Sequence, residues 1–68
     1  SGEGILSLNA TPWAWVDLDG KRIGNTPLEL RLPARRYEVR LVHPTMGSAH
    51  RAIEVRPGQR ETWSPTLR

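Results

Sequence analysis

The sequence predicts an all-β domain, a small antiparallel β-sandwich of six to seven short strands. Three observations carry that expectation. Apolar residues recur with period two along almost the whole chain, the mark of half-buried strands. Prolines at positions 12, 27, 33, 44, 57 and 65 interrupt any helix that might be attempted. Turn-forming residues fall in the gaps between the alternating runs.

The runs follow one another in order. Leu6 and Leu8 alternate with Ser7 and Asn9, then Ala14, Val16 and Leu18 with Trp15, Asp17 and Asp19. Asp19-Gly20 tolerates positive φ at both centres of a type I′ hairpin turn and leads into the short run Lys21-Arg22-Ile23. Gly24-Asn25-Thr26-Pro27 redirects the chain, with Pro27 suited to a strand start or a sheet edge. Leu28, Leu30 and Leu32 form the next strand, and Pro33-Ala34-Arg35 the next corner. Tyr37, Val39 and Leu41 alternate with Arg36, Glu38 and Arg40. Residues His43 to Ala49 read as the longest break and the most mobile segment, because His43-Pro44 forces an extended or turn conformation. Ile53 and Val55 form a further strand, and Pro57-Gly58 has the order of a type II turn.

One face of each strand is then apolar and the other wet. The expected core is Leu6, Leu8, Ala14, Val16, Leu18, Ile23, Leu28, Leu30, Leu32, Tyr37, Val39, Leu41, Ile53, Val55 and Trp63. A chain of 68 residues buries only about 60% of the surface it exposes when unfolded, and no cysteine is present to reinforce it. Marginal stability and reliance on a neighbouring domain or partner are therefore expected. Residues 1–3 read as an N-terminal tail, with Ser1-Gly2 open to reading as a cloning remnant, and residues 4–68 as one domain. No stretch approaches the roughly 20 apolar residues of a membrane span, and no basic region followed by an apolar run suggests a signal peptide. These features argue against a multidomain enzyme, a membrane-spanning protein, a disulfide-rich toxin or a cysteine zinc finger.

The formal charge is +3, and it is unevenly placed. Residues 1–20 carry Glu3, Asp17 and Asp19 with no base, while all ten bases follow. Such asymmetry can mark a surface for nucleic acid, anionic lipid or an acidic polymer. Arg interleaved with Glu, as in Arg36-Tyr37-Glu38-Val39-Arg40, is equally what an ordinary solvated strand face looks like.

Catalytic chemistry finds little support. His43 and His50 are the only histidines, and no Asp or Glu lies between Glu38 and Glu54 to orient either. No metal site and no cofactor are expected, since the loop offers the two His no further strong ligands. Asp17 and Asp19 share one strand face but lack a third carboxylate, so a turn-stabilising Asp19 and an Asp17 paired with an Arg on the adjacent strand are expected. Trp13 and Trp15 are more informative. If Val16 and Leu18 point inward, both rings point outward. Two readings stand: Trp13 folds over the sandwich end and Trp15 lies across an Arg stem, or the pair is a contact surface for a protein or glycan. The expected partner-binding residues are Trp13, Trp15, Arg36 and Arg40.

Ala14-Trp15-Val16-Asp17-Leu18-Asp19-Gly20-Lys21-Arg22-Ile23-Gly24-Asn25-Thr26-Pro27-Leu28 resembles the PEGA domain family. The specific part is Asp19-Gly20 followed by Gly24, Thr26, Pro27 and Leu28; Leu30-x-Leu32-Pro33-Ala34, Tyr37-x-Val39-x-Leu41 and Pro57-Gly58 fit the later strands and final hairpin. Two positions depart from the family pattern. Pro12-Trp13-Ala14 replaces the name-giving turn, and Arg35 stands where a Gly is usual, which would strain the corner if φ > 0 were needed there.

The resemblance implies a non-catalytic accessory module, often in bacterial and archaeal envelope proteins or in the extracytoplasmic part of bacterial Ser/Thr kinases. By that resemblance the domain is expected outside the cytoplasm, docking a protein or cell-wall polysaccharide as a binding module, or acting as a spacer. The alternative is a basic small β-domain that binds single-stranded nucleic acid, for which no RNA-binding signature is present.

Overall fold

The alternating runs become seven strands and no helix. The computed structural model describes residues 2–68; Ser1, the first residue of the expected tail, lies outside the described residues. The strands are β1 (Glu3–Leu8), β2 (Trp15–Leu18), β3 (Lys21–Asn25), β4 (Leu28–Pro33), β5 (Arg36–His43), β6 (Gly47–Glu54) and β7 (Arg60–Trp63). One sheet has the order β4-β1-β7, the other β3-β2-β5-β6, and their apolar faces meet. All pairs are antiparallel except one. β7 lies parallel to β1, in register from Ile5↔Arg60 to Leu8↔Trp63, because the chain crosses between the sheets after β6 instead of turning back in a hairpin.

The core between the sheets holds Leu6, Leu8, Ala14, Val16, Tyr37, Val39, Leu41, Ile53 and Val55, as the alternation predicts. The Tyr37 hydroxyl is satisfied by donating to the Pro33 carbonyl at 2.7 Å. Ala10 and Leu67 are also buried, although no alternating run marks them. Leu67 is drawn in by the end of the chain, where Thr11 N donates to Pro65 O and Leu67 N to Thr11 O.

Several expectations are corrected. Ile23 is 38% exposed and outside the core. The β2–β3 register passes from Asp17↔Arg22 to Val16↔Gly24, so Ile23 is the extra residue of a bulge, and the bulge breaks the inward alternation. Leu18, Leu28, Leu32 and Trp63 are only half-buried against the core, and Leu30 is half-buried on the edge strand β4. The segment His43–Ala49 is no long loop. β5 and β6 pair without interruption to His43↔Gly47, leaving Pro44, Thr45 and Met46 as a three-residue turn. Gly47 takes the positive φ that closes it, and His43 Nδ1 accepts from the backbone N–H groups of Thr45 and Met46, each at 3.1 Å. The corner at Arg35 needs no positive φ, so the missing Gly costs nothing there.

Candidate functional site

The hairpin at Asp19-Gly20 sets the geometry. Asp19 (φ 49°) and Gly20 (φ 83°) both have positive φ, as a type I′ turn requires. That two-residue turn forces Asp17 opposite Arg22, and Arg22 Nε donates to Asp17 Oδ1 at 2.9 Å while Nη2 reaches Oδ2. Held there, the guanidinium lies 4.8 Å from the Trp15 ring centre.

The other end of β2 is fixed by a reciprocal clamp. Ala14 N donates to Thr26 Oγ1 at 2.9 Å, and Thr26 N donates to Ala14 O at 2.8 Å. Thr26 is the one buried polar side chain among the described residues, and the clamp ties the Gly24–Leu28 corner to the backbone between the two tryptophans. Gly24 faces Val16 across the bulge, Pro27 leads into β4, and Gly58 supplies φ 70° where Gln59 N donates to Arg56 O across the Pro57-Gly58 turn.

Trp13 and Trp15 meet edge to face, with ring centres 5.2 Å apart, and the Trp13 ring lies 4.8 Å from that of His43. Both tryptophans are half-buried. They form one patch with Arg22 and His43, residues that the sequence reading did not assign to it. Arg22 was legible, because a two-residue turn dictates its register with Asp17; His43 was not, because the β5–β6 turn was read as a long loop. Arg40 lies beside the patch, opposite Asp17 on β5. Arg36 does not: it sits opposite Glu54, four residues and about 13 Å along the strand.

No group of three metal-ligating side chains occurs among the described residues. His50 Nε2 lies 2.9 Å from Glu38 Oε1 on the exposed face, a diagonal contact across β5 and β6, whose register sets His50 opposite Arg40. The N–H of Glu38, and after it the Arg35 guanidinium, hold the Asp19 carboxyl below its ordinary value; Arg60 does the same for Glu29. Depressed folded pKa values stabilise the fold above the unfolded values, here 3.8 and 4.5, and that contribution is lost as pH falls through the folded ones. Urea midpoints should therefore drop as pH falls from about 6 to about 3. Asp19→Asn, which keeps the turn but not the charge, should flatten part of that slope; an unchanged slope would remove Asp19 from the account.

A family model for the PEGA domain matches residues 4–68, spanning both sheets and the clamp. The chain belongs to the PEGA domain family. PEGA domains are small, non-catalytic accessory domains of extracellular type. No curated protein and no solved structure matches this PEGA domain. The family motif now has physical reasons: Asp19-Gly20 makes the hairpin, Thr26 makes the clamp and Pro27 leads into the edge strand. Among the described residues no helix is long and apolar enough to cross a membrane.

Proposed function

We propose that this PEGA domain is an extracytoplasmic docking module of a larger bacterial envelope or signalling protein, and that it binds a partner protein through the Trp13/Trp15 patch. One observation carries the reading: two tryptophans are gathered on an outer surface where the fold does not need to bury them. A protein surface suits the patch better than a sugar ring. Arg22 covers one face of Trp15, and the edge-to-face pair offers no flat platform for stacking. Half-buried Trp beside Arg is instead the composition of a protein contact centre. Arg40 at its border supplies attraction for an acidic partner.

The test is amide-resolved NMR titration with the remaining domains of the parent protein, with peptidoglycan fragments and with a single-stranded oligonucleotide. Shifts centred on Trp13, Trp15 and Arg40 with a protein domain, and an affinity reduced roughly tenfold by Trp15→Ala, are expected. Binding only to glycan would replace the partner class. Oligonucleotide affinity that falls steeply with salt would favour a nucleic-acid binder instead.

A further inference from the structure

The two sheets leave four edge strands, and three of them are blunted. β3 has five residues, a bulge and Lys21. β4 follows Pro27, ends in Pro33 and carries Glu29 in an ion pair with Arg60. β7 has only four residues. β6 is different: eight residues, no proline, and an unbroken register with β5 from Arg36↔Glu54 to His43↔Gly47.

The direction of its backbone groups can be worked out. Asp19 N donates to Glu38 O, and Glu38 N donates to Asp19 Oδ1, so the even residues of β5 turn their polar groups toward β2. Val55 N donates to Arg35 O, so the odd residues turn toward β6. In an antiparallel ladder the same alternation holds on the facing strand. The N–H and C=O groups of Ser48, His50, Ala52 and Glu54 therefore point away from β5, along a free edge about 26 Å long. No backbone hydrogen bond beyond the β5 ladder engages these four among the described residues.

Charge tells which occupant fits. On β5 and β6, Arg36, Arg40 and Arg51 have no carboxylate within 4.0 Å among the described residues, against Glu54 as the one carboxylate of these strands without a basic partner, since Glu38 lies 2.9 Å from His50. Beside the edge, a cleft of about 200 Å³ between β6 and β7 is lined by Arg51, Ile53 and Arg56 together with the carboxylates of Glu54 and Glu61, and Glu61 holds Arg56 only loosely, at 3.9 Å. A second copy would add its own surplus of free arginines to this one, whereas an acidic segment offsets it.

We propose that β6 is a docking edge that accepts an acidic, extended segment of another protein as a fifth strand of the β3-β2-β5-β6 sheet, its backbone bonding to Ser48, His50, Ala52 and Glu54 and its carboxylates meeting Arg51 on the face that borders the cleft. This surface is separate from the Trp patch.

The probe is an eight-residue peptide of alternating glutamate and valine, with a lysine and valine counterpart. The glutamate peptide should shift the amides of Ser48, His50, Ala52 and Glu54 and slow their exchange with solvent roughly tenfold, and the lysine peptide should do neither. Ala52→Pro removes one outward N–H at an edge position where proline is tolerated, and should weaken binding roughly tenfold. Should that variant not fold, Arg51→Glu provides the same test through charge. Trp15→Ala should leave peptide binding unchanged, which separates this inference from the docking role of the Trp patch. Unprotected amides, shifts mapping to another edge, equal binding of the lysine peptide, or protection that grows with protein concentration alone would each overturn it.

Discussion

Gly4→Ala is expected to lower the thermal midpoint by roughly 10 °C, the largest effect of any single methyl group in this domain. An added Cβ would collide with the Arg56 carbonyl oxygen, lie 2.8 Å from Val55 Cγ1 and sit 3.0 Å from Gln59 O. None of these can yield cheaply. Val55 is buried, and the crossing segment is tied to β1 on both sides of Gly4, by Gly58 N donating to Glu3 O and Ile5 N donating to Gln59 O, each at 2.9 Å. Moving the segment aside would break those bonds. Gly24→Ala is the control: its Cβ would meet only Leu28 methyl carbons, at 3.7 and 3.9 Å, and its φ is not positive. Circular-dichroism melts of the two variants decide the matter. Equal small shifts would show that the crossing segment is looser than the packing implies.

Thr26→Val should come next, at about 1–3 kcal/mol. The replacement keeps the shape of the side chain but leaves the buried Ala14 N–H without the Oγ1 acceptor it now has. For a domain of this size each kcal/mol moves the midpoint by about 4–8 °C. Thr26→Ser keeps the acceptor and should recover most of the difference. If Val and Ser variants unfold at the same urea concentration, the hydrogen bond contributes nothing and only the methyl group matters.

These two positions show where the sequence was legible. Alternation was enough to place Val16, Val39 and Leu41 in the interior, since a strand that shares a core must separate odd from even side chains. Asp19-Gly20 was enough for the first hairpin and, through it, for the Asp17–Arg22 pair. Gly4 and Thr26 were not legible as packing residues. Their importance comes from segments about 50 and 12 positions away, the Arg56 carbonyl and the Ala14 amide. Ile23 misled for the opposite reason, because a bulge resets the alternation without leaving a mark on composition. In the candidate site, Trp13 and Trp15 were visible as outward-facing rings, yet the contact of Trp13 with His43 depended on a turn only three residues long. Arg36 and Arg40 look equivalent in sequence, and only strand register places one beside the patch and the other at the far end of β5.

The parallel pairing of β1 with β7 has a mechanical meaning. The two strands run in the same direction, so the start of β1 and the end of β7 lie at opposite ends of their shared ladder. Tension transmitted through the polypeptide drags these strands past each other lengthwise. Their cross-links then share the load in shear and yield together, where a hairpin pulled from its open end would unzip one link at a time.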